Sequence, residues 1–289
     1  MSQPGQSTGV LSDRQVDIIA TRLAERLRGA PVRDPQVVAV SNPPAPTACA
    51  EPGEGIFTTV NDAVEAAGIA FRELDAMSLE ARTKIIAAIR KSMLEHAEEL
   101  ARHAHSETGL GRFKDKVVKN RLVTRKTSGT EVLTPHAVTG DDGLTLTEYA
   151  PYGVIGAITP TTNPTSTIIC NTIAMLSAGN SIVFNVHPNA RECSMANVRL
   201  LHRAIVGAGG PNNLVTAVAE PTIESAQALM AHKGVRLLAV TGGSGVVRQA
   251  MTSGKRAICA GPGNPPVVVD ETADLEHAAR CIVAGASFD

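Results

Sequence analysis

The spacing of apolar residues changes twice along this chain, and each change marks a change of architecture. Over residues 11–28, Val16, Ile19, Ala20, Leu23 and Leu27 recur at helical intervals behind a Ser12 that can cap them. Asp13, Arg14, Asp17, Arg22, Glu25, Arg26 and Arg28 fill the other face, so the pattern predicts an amphipathic helix. Gly29 to Gly55 is rich in proline and poor in large apolar residues, and reads as a linker. A short tethered helix cannot build its own core. It either docks back on its domain or lies in another protein's groove.

From Phe57 to about Ser106 the period is helical. Ala63, Val64, Ala67, Ala70, Phe71 and Leu74 form one face, and Ser78 can cap a second helix carrying Ile85, Ile86, Ile89 and Leu94. Glu107-Thr-Gly-Leu-Gly interrupts it, and a further helix is predicted through Lys126. Leu144-Thr-Leu-Thr-Glu-Tyr alternates with period two, as a strand with one wet face does.

After Tyr152 strand and helix alternate. Strands are predicted at 152–158, 181–186, 214–218, 236–240 and 266–269, and helices at 165–177, 190–207, 222–232 and 244–252. This rhythm predicts an α/β fold, a parallel sheet with helices on both faces. Ligands of such sheets sit beyond the carboxyl ends of the strands. The stretches TPTTNPTS, NVHPNA, AVAEPT and TGGSG all fall there.

Composition narrows the function. Of 289 residues 43% are apolar and 19% charged, a globular balance. Aromatics are 2% with no Trp, so the core must be built from Val, Ile, Leu and Ala. A net charge of -1 without a Lys/Arg-rich run argues against a nucleic-acid partner. The start lacks a basic n-region and an apolar h-region, and no run is apolar enough to span a bilayer, so neither signal peptide nor membrane is expected. Cys49, Cys170, Cys193, Cys259 and Cys281 show no paired spacing, which argues against a metal site or a disulfide framework and for a reducing, cytoplasmic compartment. Small buried roles suit Cys170, Cys259 and Cys281 best.

Each candidate motif has two readings. Thr241-Gly-Gly-Ser-Gly, between a strand and a helix, lets backbone amides approach a phosphate, or is a plain turn. Cys259-Ala-Gly-Pro-Gly-Asn-Pro-Pro carries no acid or base, and is either a tight turn into the strand at 266–269 or a backbone wall beside a ligand. Asn163, between Pro160 and Pro164, forms a turn or holds a carboxamide donor rigidly toward an oxyanion. His187 is a base or polar surface.

Together the segments APYGVIGAITPTTNPT, LSAGNSIVFNVHPNA, VTGGSG and AGPGNPPVVVDETADLEHAARCIVAGASFD resemble the aldehyde dehydrogenase superfamily. They resemble most closely its CoA-acylating branch, which includes propionaldehyde and acetaldehyde dehydrogenases of bacterial microcompartments. The resemblance runs from about Phe57 to Asp289. It implies a Rossmann-like cofactor domain, with Asn163 as oxyanion donor. Thr159, Pro160 and Thr161 would pass the nicotinamide ribose. Thr241, Gly242, Gly243 and Ser244 would face the diphosphate, Pro221 the adenine, and Ala260 and Gly261 would border the cofactor.

Departures from the wider superfamily are informative. Hydrolytic members have a glutamate base where this chain has Ala260, so water attack on a thioester loses its assistance and a thiol acceptor is implied. Asn185 and Pro188 replace a lysine and a glutamate that hold the adenosine ribose, leaving NAD against NADP open, and His187 would help line the adenosine site shared by cofactor and CoA. The family's nucleophilic cysteine falls beyond the match to Asp289, and Cys281, on a helix predicted over Leu275–Val283, is no substitute for it.

The organisation expected is 1–29 as an amphipathic helix resembling encapsulation peptides, 30–55 linker, and 56–133 the helical part of the cofactor domain. An oligomerisation hairpin follows at 134–150, the dinucleotide-binding domain at 151–269, and the start of a catalytic domain at 270–289. The expected activity is oxidation of a short aldehyde with NAD and CoA by a homo-oligomer, in the cytoplasm or within a microcompartment whose shell takes residues 11–28, with these 289 residues inactive alone. The alternatives are a non-catalytic dinucleotide-binding or cargo protein, and a hydrolytic aldehyde dehydrogenase.

Overall fold

The computed structural model describes Ile18, Thr21 and residues 53–289 apart from Pro262 and Asn264. The helix predicted over 11–28 and most of the linker lie outside the described residues, although Ile18 and Thr21 are helical and exposed. Residues 53–263 with Asp289 form one compact unit, and 265–288 belong to a second.

The first unit opens with β1 (Ile56–Phe57) and four helices: α1 (Val60–Asp75), α2 (Leu79–Glu95), α3 (Ala97–Thr108) and α4 (Phe113–Lys126). A hairpin, β2 (His136–Gly140) and β3 (Gly143–Thr147), precedes β4 (Val154–Ile158), α5 (Pro164–Ser177), β5 (Ser181–Asn185) and α6 (Arg191–Gly207). Then come β6 (Val215–Val218), α7 (Ile223–Ala231), β7 (Val235–Thr241), α8 (Ser244–Met251) and β8 (Ala257–Ala260). The second unit holds α9 (Leu275–Ala286), capped by Asp274, whose Oδ1 accepts from the His277 amide at 2.9 Å.

Local chemistry sets the helix starts. Thr59 Oγ1 accepts from the Asp62 amide and Ser78 Oγ from the Ala81 amide, satisfying first-turn donors of α1 and α2. Pro164 opens α5, where its missing N–H costs nothing. Gly109 ends α3 in the left-handed region at φ 65°, which a β-carbon would disfavour.

Six parallel strands form one sheet in the order β1-β6-β5-β4-β7-β8. Every residue of β4 and β5 is buried, as expected of strands covered on both faces. Alternation divides their side chains. Ala157, Ile182 and Phe184 join a core with Ile86, Ile89, Ile169, Ile173 and Leu201, under α2, α5 and α6. Val154, Ile158 and Val183 join a second core with Val64, Leu229, Leu238 and Ala250, under α1, α7 and α8. Burying each of these Val, Leu, Ile and Phe side chains stabilises the fold by about 1.5–3 kcal/mol against leaving it exposed, and each alanine by less.

One predicted strand is corrected. Residues 266–269 form no strand, and Val267 and Val268 are exposed. Pro265 and Pro266 have no amide hydrogen to give a ladder. The sheet's edge is instead Ala257–Ala260, paired with β7 from Leu238↔Ala257 to Thr241↔Ala260. The hairpin pairs His136↔Thr147 through Gly140↔Gly143, with every residue exposed, Val138, Leu144 and Leu146 included. Among the described residues no helix is long and apolar enough to cross a membrane, and no group of three or more His, Cys, Asp or Glu is placed to hold a metal.

Candidate active site

Chain order turns back between β4 and β7: β5, β6 and β1 lie to one side of β4, and β7 and β8 to the other. A crevice opens at the carboxyl ends of strands at such a switch point. Here it is a cavity of about 700 Å³, within the size range of small-molecule and cofactor sites.

The turn after β4 supplies Thr159, Pro160, Thr161, Thr162 and Asn163 to its wall. The Thr159 amide donates to the Asn185 carbonyl at 3.4 Å, prolonging the ladder into the site. Lys116 of α4, with a side chain only 5% exposed, donates to the Thr162 carbonyl at 2.9 Å and holds the turn from behind. Asn163 stands at the N-cap of α5 without using its side chain as a cap.

The turn after β5 supplies Asn185, His187 and Pro188, with Asn189 beside them. His187 Nδ1 accepts from the Asn189 amide at 3.1 Å, which leaves Nε2 as the protonated, donating nitrogen of the neutral ring. Asn185 is held by α7. Ser225 Oγ donates to Asn185 Oδ1 at 2.5 Å, while Ser225 and Thr222 form a reciprocal capping box.

Thr241, Gly242 and Gly243 form the third wall, with Gly261 and Gly263 nearby. The Gly242 amide donates to the Ala260 carbonyl at 3.1 Å, so β8 fixes this turn. Gly243 is the N-cap of α8 and brings no side-chain acceptor, and a β-carbon there would meet nothing within 4 Å. The start of α8 therefore offers first-turn amides and the positive end of the helix dipole to an anion.

Eleven of the fourteen residues singled out from sequence line this one cavity: Thr159, Pro160, Thr161, Asn163, Asn185, His187, Pro188, Thr241, Gly242, Gly243 and Gly261. Pro221 is buried behind the wall, Ser244 is the exposed first residue of α8, and Ala260 is the exposed last residue of β8; none of these three lines it. Pattern reading missed Thr222, Ile223, Ala226 and Val246 in the lining. The Thr-x-x-Ser cap at 222–225 was the available signal. It also missed Lys116 and Lys119, which look like one polar face of a surface helix.

The residues present fit a dinucleotide. Thr159 Oγ1 is buried in the cavity wall with no protein partner, a polar group that a ligand would satisfy. Among the described residues no Asp or Glu lines the cavity to repel a diphosphate. None of the described cysteines lines it either: Cys170 and Cys259 are half-buried, Cys193 is buried and Cys281 is exposed. This corrects the buried role expected for Cys281. Cys193 packs instead with Ala104 and Ala190, and burial, reinforced by the Glu107 carboxylate, pushes its thiol above the ordinary range. It is a packing residue.

A parallel sheet covered on both faces, with a cavity at its switch point whose described lining holds no carboxylate, defines an α/β protein with a ligand crevice at its strand ends. The profile of the aldehyde dehydrogenase family matches residues 32–289, and the chain belongs to that family. It is 53% identical over 236 residues to an acetaldehyde dehydrogenase (acetylating) of Bilophila wadsworthia, covering 81% of this chain and 48% of that protein. The structure of Rhodopseudomonas palustris propionaldehyde dehydrogenase, with bound CoA and an acylated cysteine, superposes with a TM-score of 0.79 at 51% identity, over 82% of this chain and 54% of that one. A propionaldehyde dehydrogenase from the Clostridium phytofermentans fucose utilisation bacterial microcompartment gives 0.79 at 53% identity, over 81% and 54%. The chain spans about half the length of the curated relatives it matches.

Proposed function

We propose that this chain is the nucleotide-binding and oxyanion-stabilising part of a CoA-acylating aldehyde dehydrogenase, which converts a short aldehyde, CoA and NAD or NADP to acyl-CoA and the reduced nucleotide. The observation that carries this reading is a cavity with an amide donor, Asn163, and a helix N-terminus but no carboxylate among the described residues of its lining. A thioester formed there meets no carboxylate of the described lining to activate water. It survives long enough for a thiol to accept the acyl group, in keeping with the acylating relatives.

In this reading Asn163 donates to the oxygen that becomes negative when a thiolate adds to the aldehyde carbonyl. Thr159 and the Thr161 turn border the nicotinamide ribose, Gly242 and Gly243 with α8 take the diphosphate, and Asn185, His187 and Pro188 take the adenosine. The bound nucleotide supplies the hydride acceptor. None of the described cysteines lines the cavity, and in this reading the thiolate comes from a part of the enzyme other than the described residues. On their own, then, these residues bind nucleotide without turning over aldehyde. The exposed apolar residues Val138, Leu144 and Leu146 of the hairpin support its use in a homo-oligomer, and the microcompartment relative supports a microcompartment location.

The test is acyl-CoA formation by the protein as its host makes it, with propanal or acetaldehyde and either nucleotide. Reduced nucleotide formed only when CoA is present supports the proposal. Equal rates without CoA would identify a hydrolytic enzyme, and nucleotide binding without turnover a binding or cargo protein.

A further inference from the structure

A carboxamide can present either of two faces. The Nδ2 of Asn163 is a donor and would stabilise an oxyanion, whereas Oδ1 is an acceptor and would repel one. Neither the backbone nor the flanking prolines make that choice. Asn163 forms no side-chain cap on α5, and its Nδ2 lies 3.5 Å from Thr162 Oγ1, the outer limit of a hydrogen bond.

The choice is made from α4. Lys119 Nζ lies 3.0 Å from Asn163 Oδ1. An ammonium group has three donors and no acceptor, so this contact is compatible with one carboxamide orientation: oxygen toward Lys119, Nδ2 away from it. Lys119 is itself fixed, with Asp289 Oδ2 at 2.8 Å. One turn earlier, buried Lys116 holds the Thr162 carbonyl and sits 3.5 Å from Asp289 Oδ1. Beside them Asn120 accepts from Thr165 Oγ1 at 3.0 Å and donates to the Ala97 carbonyl at 3.1 Å, tying α4 to the first turn of α5. Lys119 does not line the cavity; Asn163 does.

We propose that Lys119 is a positioning residue that sets the orientation of the Asn163 carboxamide, keeping Nδ2 as the donor presented to the cavity. The proposal rests on reading Asn163 as the oxyanion donor, and its test separates the two. The first arm needs no activity. In ¹⁵N NMR of this chain the Asn163 side-chain amide signals, assigned by their loss in Asn163→Asp, should move in Lys119→Met and return toward their original positions in Lys119→Arg. Signals unmoved in Lys119→Met would overturn the proposal even if the wild-type protein makes no acyl-CoA, an outcome that would by itself sink only the functional reading.

The second arm is kinetic, on the protein as its host makes it. Lys119→Met should lower kcat by about 10- to 100-fold, less than loss of the donor itself, with KM for the nucleotide unchanged. Lys119→Arg should recover most of that loss. Lys119→Glu, whose carboxylate accepts from Nδ2 and so inverts the carboxamide, should be worse than Lys119→Met. A wild-type kcat in Lys119→Met would overturn the assignment. So would equal losses in the Met, Arg and Glu variants with KM raised in all three, since a merely structural lysine behaves that way.

Discussion

Asn180 Oδ1 accepts from two successive amides, Tyr152 at 2.7 Å and Gly153 at 3.1 Å, and so joins the end of the α5–β5 turn to the entry of β4. Its Nδ2 donates to the Met175 carbonyl at 3.1 Å, and the Ser181 amide donates to the Gly153 carbonyl. One buried side chain thus aligns the first residues of the two central strands. Asn180→Ala leaves these groups without their partner and should cost about 2–4 kcal/mol, read as a lower urea midpoint with unchanged m. Asn180→Asp keeps both acceptances while losing the donation, and should cost less.

Ser225 links stability to ligand binding. Its hydroxyl accepts from the Thr222 amide and donates to Asn185 Oδ1, so one atom closes a helix cap and holds a cavity wall. Ser225→Ala should destabilise by about 1 kcal/mol through the cap. It should also weaken nucleotide binding by about 3- to 10-fold, because Asn185 loses its anchor, at a cost of about one hydrogen bond. Calorimetry of unfolding and of nucleotide binding on the same variant separates the two effects. A stability loss with unchanged affinity would remove Asn185 from the adenosine site.

What the sequence disclosed follows from the range of each interaction. The strands at β4, β5 and β7 and the helices α5 to α8 were legible to within two residues, because burial on both faces leaves apolar runs, broken in β7 only by the exposed Arg236, and the caps are local. Strand β1 is two residues long and pairs with β6 some 160 positions away, so no local pattern announces it. At 266–269 the run of valines outweighed two adjacent prolines, whereas the true edge strand Ala257–Ala260 has alternating half-buried and exposed residues without a strong signal. Within the site, the turns were legible because glycine, proline and threonine concentrate there. Lys116 and Lys119 were not, since a lysine on a polar helix face looks solvated until the fold lays another element over it.

Gly156 lies in a tightly packed stretch of the central strand. A β-carbon there would lie 3.1 Å from Val235 Cγ1 and 3.2 Å from Leu229 Cγ and Leu238 Cδ2. All three belong to the core beneath α7, which leaves little room to give way. Gly156→Ala should destabilise by about 1–3 kcal/mol despite its better strand propensity. Thermal unfolding of this variant, with nucleotide affinity as a second reading, checks whether the strain reaches the cavity at the carboxyl end of the same strand.

Burial lowers the His202 imidazole below its ordinary range, and Arg203 adds to that while Glu54 opposes it. A folded value below the unfolded one means that the unfolded chain takes up a proton more readily. The contribution of His202 is therefore fully present above the ordinary value of about 6.5, and is lost as pH falls through the lowered folded value. Stability measured by urea unfolding should decline as pH drops below 6.5. His202→Gln should make that decline shallower. An unchanged profile would mean that the ring stays hydrated in the folded state.

Thr159 gives the sharpest test of the cavity as a ligand site, because its two functions predict effects of opposite sign. Its hydroxyl is buried, 2% exposed as a residue, and has no protein partner, which costs the free protein some of its stability. Thr159→Val has nearly the same shape without the hydroxyl. It should leave the free protein as stable or more stable, by up to about 1 kcal/mol. If the nucleotide satisfies the hydroxyl, the same change should raise its Kd by about 3- to 10-fold, the worth of one hydrogen bond. Thr159→Ser keeps the hydroxyl and should bind like the wild type. Melting curves of the three proteins with and without nucleotide read both effects at once. A valine variant that is less stable when free, yet binds with unchanged affinity, would show that the hydroxyl serves the fold and leave Thr159 outside the ligand's reach.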